Sequence, residues 1–202
     1  MKRKAIPRRK PKQARSIRKY NDILDAGARL LEQLEYSDIT MSEIHLESGH
    51  PYATIYQYFG NKEDIFQAWI ERFMETVIFE LSDRIRRTDR HDFESQLEIS
   101  VRYSLEQITA QRLILGKLLN GMALVSSRMV EHLEEKTREW IIQAFGQQME
   151  LPRNNEPLEK LLTAARATNG YWIMLMLNTR REIDIEQESR RVGSLIKALL
   201  SI

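Results

Sequence analysis

Few residues of the types that usually carry catalysis are spaced in this sequence so that they could act together. The four histidines, which are His45, His50, His91 and His132, do not form the pair of a metal-binding helix. There is no cysteine, no glycine-rich phosphate loop and no Gly-x-Ser-x-Gly turn. We therefore expect no enzymatic activity, no metal site and no cofactor. His45 is expected to be packed or hydrogen-bonded rather than to act as a ligand.

A short aromatic stretch offers a different chemistry. It reads SGHPYATIYQYFGNKEDIF and holds four aromatic residues between two glycines. On a helical wheel, its apolar residues gather on one face, and its small, polar and aromatic residues gather on the other. The first face holds Ile55 and Phe59, and the second holds Ala53 and Gln57, with Thr54 and Tyr56 on the flanks. The second face suits base edges and phosphates in the major groove of DNA.

Cap and turn signals predict the short helices that would position this face. Residues 40–43, Thr-Met-Ser-Glu, match a capping box, in which the Thr40 hydroxyl and the Glu43 carboxylate each accept a backbone amide of the other residue. Gly49 is a predicted left-handed C-cap of that helix. A second short helix is predicted from Pro51 to Phe59. Two short helices joined by a glycine turn make a helix-turn-helix.

Helical periodicity extends through the rest of the chain, and strand signals are scarce. An apolar stripe follows Ser16, which is a predicted N-cap, and another follows Asn61, which we expect to begin a helix over residues 61–87. Five more helices are predicted near Phe93–Gln111, Leu113–Ser126, Met129–Glu150, Pro157–Thr179 and Ile185–Ser201. The fold class is therefore all-α, with about nine helices: an N-terminal three-helix helix-turn-helix domain followed by a C-terminal helical bundle.

Charge is distributed unevenly over the predicted domains. Residues 1–19 carry ten Lys or Arg and no acid, whereas the remainder holds 21 basic and 29 acidic residues. We predict a basic flexible arm over residues 1–14, a DNA-binding domain over 15–60, and a helical effector-binding and dimerisation domain over 61–202. The arm could follow DNA phosphates or enter the minor groove, or it could be a solvated tail.

The order of residues around the turn resembles the TetR family of transcriptional regulators. The matching stretch is ITMSEIHLESGHPYATIYQYFGNKEDIF, and the resemblance covers roughly residues 15–70. Its most specific part is Thr54-Ile55-Tyr56, Phe59 and Asn61-Lys62-Glu63. The sequence departs from the family pattern at His45, where a small apolar residue is usual, and at His50-Pro51.

The resemblance implies that nine residues bind DNA. Nearest the bases would be Tyr52, Ala53, Tyr56 and Gln57, whereas the phosphates would be contacted by Thr54, Tyr58, Lys62, Thr40 and Ser42. Electrostatics supports Lys62 independently, because a cation beside exposed amides at a helix start can hold a phosphate. Other interpretations stay open: Tyr56 and Tyr58 could be core aromatics whose hydroxyl groups reach solvent, and Gln57 could be a solvent-exposed surface residue without a role in DNA binding.

The C-terminal half suggests a dimer and, by resemblance, an effector pocket. The segment GYWIMLMLN over residues 170–178 is apolar around the whole helix and must be buried on all sides. With the last helix it would form a homodimer interface, although a monomer core is the alternative. The resemblance implies a pocket in the middle helices, although plain core would fit the same pattern. Its candidate lining is Arg102, Tyr103, Leu118, Met122, Trp140, Phe145, Asn169, Tyr171, Trp172 and Met174.

The resemblance also implies a function. We expect a cytoplasmic, sequence-specific regulator of transcription that binds a palindromic operator on double-stranded DNA as a homodimeric repressor, with no membrane association. A small, largely apolar effector would release it, with coupling through the helix that starts at residue 61. The alternatives are a DNA-binding regulator or architectural factor of the same fold with no inducer, and a helical interaction protein that has lost DNA binding.

Overall fold

A computed structural model of the chain describes residues 11–89, 92–122, 127–145, 156–178 and 182–200, without the side chains of 127–132 and 157. The described residues form nine α-helices and one 3-10 turn, and they contain no β-strand. The predicted all-α fold is therefore confirmed. The helices are α1 (Ala14–Gln33), α2 (Met41–Ser48), α3 (Tyr52–Tyr58), α4 (Lys62–Arg86), α5 (Phe93–Ala110), α6 (Arg112–Gly121), α7 (Ser127–Phe145), α8 (Glu156–Leu177) and α9 (Ile185–Leu200), with the 3-10 turn at Tyr36–Asp38.

The chain divides into two compact units, and the boundary lies within α4, between Phe73 and Met74. We call them the N-terminal and the C-terminal unit.

None of the described helices has the length and apolar character needed to cross a membrane. Among the described residues, no group of three or more His, Cys, Asp or Glu is placed to hold a metal ion.

The N-terminal unit packs around the apolar stripe of α1. Ile23, Leu24 and Leu31 on this helix are fully buried. A β-carbon added to Gly27 would lie 3.2 Å from Cε1 of Phe66 on α4, so α1 and α4 approach closely at this glycine. Fully buried residues of the following elements complete the core, namely Ile39, Ile44, Ile55, Ile65 and Phe66.

The start of α1 differs from the sequence prediction. Ser16 is not the N-cap, because the helix already begins at Ala14 and the backbone carbonyl of Gln13 accepts the amide of Ile17 at 2.9 Å. Residues 14 and 15 are alanine and arginine, which are strong helix formers, so the helix extends past the serine. Residues 1–10 of the predicted arm lie outside the described residues, and so do the predicted ends of four helices, at residues 123–126, 146–150, 179 and 201.

The C-terminal unit holds a second core, in which α8 and α9 pack on α5 and on each other. Leu81 and Ile85 of α4 belong to this core, together with residues of α5, α7 and α8. The apolar segment at the end of α8 is not buried on all sides within one chain: Trp172 and Leu175 are buried, whereas Met174 and Leu177 are exposed. The prediction of burial all round is therefore not met by a single chain.

Candidate nucleic-acid interface

The two faces predicted for α3 are both present. Ile55 is fully buried and Phe59, which follows the helix, is 2% exposed, so the apolar side packs into the core. Ala53 and Gln57 on the opposite side are exposed. Tyr52 and Tyr56 are 41% and 43% exposed, and Thr54 is half-buried on the flank. The N-terminal unit therefore presents an outer face of one small, one amide-bearing and two aromatic side chains.

Tyr58 lies elsewhere than the other predicted DNA contacts. Its side chain is 8% exposed, and its ring packs edge-on against Tyr20 of α1 with a centroid distance of 5.8 Å. Tyr20 also packs against Phe59, at 4.8 Å. Tyr58 is therefore a core aromatic, which was one of the two interpretations left open by the sequence. The outer face of α3 does not include it.

The start of α2 carries the predicted capping box. The Thr40 hydroxyl accepts the backbone amides of Ser42 and Glu43 at 3.2 and 3.4 Å, and the Glu43 carboxylate accepts the amide of Thr40 at 2.9 Å. The Thr40 hydroxyl also donates to the Glu43 carboxylate. Because Thr40 and Ser42 are both exposed, this end of α2 is open to a partner. The capping-box prediction is confirmed.

The ammonium group of Lys62 faces protein carbonyls. Its Nζ donates to the backbone oxygens of Tyr36 and Ile39, each at 2.8 Å, and it lies 4.4 Å from the centre of the Tyr36 ring. The Tyr36 hydroxyl donates to the Glu63 carboxylate at 3.0 Å. Burial and this carboxylate both raise the pKa of Tyr36. Lys62 therefore joins the start of α4 to the 3-10 turn before α2.

Two backbone amides at and just before the start of α4 are already bonded to side chains. Asn61 Oδ1 accepts the amide of Asp64 at 2.8 Å, which confirms the predicted cap, and Asp64 Oδ2 accepts the amide of Gly60 at 2.7 Å. The Lys62 ammonium and these two amides, which would hold a phosphate at this helix start, are thus bonded within the protein. The phosphate contact of Lys62 remains a prediction, whereas its contacts to carbonyls are observed.

Two histidines hold the turn between α2 and α3. Gly49 ends α2 with a φ of 66°, the left-handed conformation that was predicted. Nδ1 of His45 lies 2.8 Å from the carbonyl oxygen of His50, and Nε2 of His50 lies 3.0 Å from Asp22 Oδ2 on α1. The backbone amide of His50 donates to the Ser48 hydroxyl at 3.3 Å. His45 is therefore hydrogen-bonded, as expected.

A stack of three rings connects this turn to the outer face of α3. The His45 ring lies 4.3 Å from the Tyr52 ring at an interplanar angle of 30°, and Tyr52 lies 6.2 Å from Tyr56 at 18°. The sequence marked His45 and His50 as departures from the family pattern, but it did not reveal the stack. The sequence also did not reveal the contact between Asp22 and His50, because nothing in the order of residues connects α1 with a turn 28 positions later.

Comparison with known proteins supports a DNA-binding role for this geometry. Residues 23–69 match the family model described as bacterial regulatory proteins of the tetR family. This part of the chain is similar to the DNA-binding domain of that family. The matched residues run from α1 into α4, so they include the whole helix-turn-helix. No curated protein matches the sequence significantly.

Solved structures extend the TetR fold to nearly the whole chain. The TetR-family repressor AlkX from Dietzia sp. strain DQ12-45-1b, implicated in biodegradation of n-alkanes, is 21% identical with a TM-score of 0.63, over 89% of this chain and 96% of that one. The fatty acid degradation regulator FadR from Bacillus halodurans is 21% identical with a TM-score of 0.60, over 93% and 96%. The dihydroxyacetone kinase operon activator DhaS is 18% identical with a TM-score of 0.60, over 91% and 96%. At these identities the likeness shows a shared fold.

The residues predicted to line an effector pocket do not share one environment. Tyr103, Leu118, Phe145 and Trp172 are buried, Met122, Trp140, Asn169 and Tyr171 are half-buried, and Arg102 and Met174 are exposed. A groove of about 270 Å³ lies between α7 and α8. It is lined mostly by polar residues of these helices, and of the ten predicted residues its lining includes Asn169.

Three of the predicted pocket residues lie in or against the core of the C-terminal unit. Tyr103 and Phe145 belong to the buried cluster, and Trp140 packs against it with its ring 5.5 Å from that of Phe145. Burial, followed by the hydrogen bond to the Glu80 carboxylate, raises the pKa of Tyr103 to about 12. The indole N–H of Trp140 is buried, and it has no hydrogen-bond partner among the described residues.

Proposed function

We propose that the chain is a sequence-specific regulator of transcription that binds a palindromic operator as a homodimer, with α3 in the major groove. The observation that carries this proposal is the two-sided character of α3. Ile55 anchors it in the core, while Ala53 and Gln57 remain exposed on the side turned away from that core. A helix of this kind offers side chains to base edges without exposing its apolar back.

The proposed contacts fall into two groups. Base edges would be met by Tyr52, Ala53, Tyr56 and Gln57 on the outer face of α3. Phosphates would be met by Thr40 and Ser42 at the exposed start of α2 and by Thr54 on the flank of α3, where hydroxyl groups and helix-start dipoles suit an anion. The buried position of Tyr58 and the engaged ammonium of Lys62 make these two residues weaker candidates.

Footprinting of a genomic DNA pool bound by the purified protein tests this proposal. We expect discrete protection of two half-sites about one helical turn apart, or slightly more. Gln57→Ala should weaken that binding, whereas Gln67→Ala, a change of the same type at an exposed position of α4, should not. Smeared protection with a steep salt dependence would instead indicate nonspecific binding, and no protection at any site would remove the proposed function.

Exposed apolar residues on α8 and α9 support the homodimer. Met174 and Leu177 are 51% and 46% exposed, and Leu195 and Leu199 are 47% and 38% exposed. Each pair is spaced by three or four residues, so its members lie on one side of their helix. A β-carbon at Gly170, one turn before Met174, would meet nothing within 4 Å, which leaves room for a close partner.

Sedimentation measurements test the dimer. Leu195→Glu would place a charge in the proposed interface, so we expect this variant to sediment as a monomer and to lose cooperative operator binding. Leu113→Glu alters another exposed leucine, on α6, and should remain a dimer. A Leu195→Glu protein that still sediments as a dimer would show that this face is not the interface.

We further propose repression that is relieved by a small, largely apolar effector. Two similar structures, AlkX and FadR, are named for the degradation of n-alkanes and of fatty acids, which are apolar compounds. AlkX is named a repressor and DhaS an activator, so these names do not agree on the sign of regulation. The unpartnered indole N–H of Trp140, beside an aromatic cluster, would offer a polar contact to such a ligand.

Thermal shift and operator release together test the effector. Fatty acids and n-alkanes of graded chain length should raise the melting temperature and weaken operator binding if the cavity exists. The packing of Tyr103 and Phe145 in the core favours the second candidate, a regulator of the same fold with no inducer. In that case, neither measurement should change with any ligand of the series.

A further inference from the structure

The position of the Tyr52 ring on the outer face of α3 is fixed from outside that helix. Tyr52 is the first residue of α3, directly after Pro51, which provides no side-chain hydrogen bond to cap the helix. A first-turn side chain has no preceding turn of its own helix to pack against. Yet the ring stacks on His45 of α2, with 4.3 Å between the ring centres and 30° between the ring planes.

His45 is itself held in place by the turn. Its Nδ1 lies 2.8 Å from the carbonyl oxygen of His50. A carbonyl can only accept a hydrogen bond, so this contact requires a hydrogen on Nδ1, and it restrains the plane of the ring. His50 is in turn fixed by its contact with Asp22 of α1 at 3.0 Å. A continuous series of contacts therefore leads from α1, through the turn, to the Tyr52 ring.

The stack then continues into the outer face. Tyr56 lies one turn after Tyr52, and their rings are nearly parallel at 18°. Both tyrosines remain more than a third exposed. A stacked arrangement reduces the rotamers that either ring can adopt before it meets a partner.

We propose that His45 is a positioning residue that sets the Tyr52 ring for contact with DNA and thereby helps to determine which base is preferred at that point of the operator. This inference rests on the proposed function. His45 is half-buried, and its contacts are with the His50 carbonyl and the Tyr52 ring, so we expect it to act through Tyr52 and not to read a base itself. A ring already held in its bound orientation loses less side-chain freedom on binding.

A double-mutant cycle on DNA binding tests this coupling. The probe is a duplex selected by the wild-type protein from a randomised library. His45→Ala should weaken binding of this duplex by about three- to tenfold, the usual effect of freeing one side chain. In a Tyr52→Ala background the same change should cost less than about twofold, because the ring that His45 positions is gone.

Base preference provides a readout that general loss of structure would not move. Selection repeated with His45→Ala and with Tyr52→Ala should relax the preference at the same position of the half-site. His45→Phe keeps a flat ring against Tyr52 but cannot donate to the His50 carbonyl, so it should restore that preference in part, and it decides the matter if His45→Ala folds poorly. Leu46→Ala alters the neighbouring residue of α2, which is 74% exposed, and should change neither affinity nor preference.

The outcomes separate this inference from the proposed function. Equal losses from His45→Ala in the wild-type and Tyr52→Ala backgrounds would overturn the positioning role while leaving DNA binding intact. A relaxed preference at a position different from that of Tyr52→Ala, or no rescue by His45→Phe, would overturn it as well. Failure of the wild-type protein to select any duplex would instead remove the proposed function.

Discussion

Replacing Lys62 by methionine distinguishes two roles for this residue. Methionine keeps an unbranched apolar stem of similar length, but it removes the ammonium that now bonds two carbonyls at 2.8 Å and lies over the Tyr36 ring. A hydrogen bond to a charged group contributes about 1.5–3 kcal/mol to stability. The two bonds share one half-buried ammonium, and water can partly replace it, so their contributions will not add fully. We expect Lys62→Met to lower the free energy of unfolding by about 2–4 kcal/mol.

The same substitution should weaken DNA binding without changing its salt dependence. Ile39, whose carbonyl Lys62 holds, directly precedes the N-cap Thr40, so loss of the contact would loosen the exposed start of α2. A direct phosphate contact would lower the slope of log K against log salt by about 0.9 when removed. A positioning role predicts weaker binding at every salt concentration and an unchanged slope.

Urea titration and salt-dependent binding to a selected duplex measure both quantities. Lys62→Arg sharpens the comparison, because a guanidinium can still contact a phosphate, but it lacks the compact ammonium that the two carbonyls surround. We expect Lys62→Arg to lose stability as well, though less than methionine. An unchanged free energy of unfolding in Lys62→Met, with a salt slope reduced by about one, would refute the reasoning.

Three further predictions follow from the described contacts. Gly49→Ala should cost about 1–2 kcal/mol of stability, measured by urea titration, because its φ of 66° penalises a β-carbon that otherwise meets nothing within 4 Å; Gly49→Asn should cost less. Thr40→Ala should cost about 1 kcal/mol by the same measurement, since it removes the acceptor of two amides. The raised pKa of Tyr103, about 12, means that its stabilising effect is complete below pH 10 and is lost as the pH rises towards 12. Tyr103→Phe should therefore remove a late-titrating phenol from the alkaline absorbance titration and make the stability loss in that range shallower.

Features set by neighbouring residues could be predicted from the sequence. The capping box of Thr40 and Glu43 spans four residues, and the C-cap at Gly49 depends on one backbone conformation, so local chemistry determines both. The outer face of α3 followed from helical periodicity alone. The prediction of Ser16 as an N-cap was wrong, because a serine is also compatible with the first turn of a longer helix.

Features set by tertiary contacts could not be predicted. Tyr58 lies close to the boundary between the two faces of α3, and its ring is buried where it packs against Tyr20 on α1, a contact that the sequence does not reveal. Lys62 looks like a free cation in sequence, because the carbonyls that it meets belong to residues 23 and 26 positions earlier. Most of the predicted pocket residues are apolar or aromatic, and such a pattern does not distinguish a cavity lining from packed core.

The length of α3 explains why so much of the interface is fixed from outside. A helix of seven residues without a side-chain N-cap is too short to be stable in water on its own. Its order must come from burial of Ile55 and from the turn that His45 and His50 hold. It follows that substitutions of the supporting residues will change DNA binding as strongly as substitutions on the outer face of α3. Loss of affinity alone will not distinguish these two groups of substitutions, whereas base preference and the salt slope of binding will.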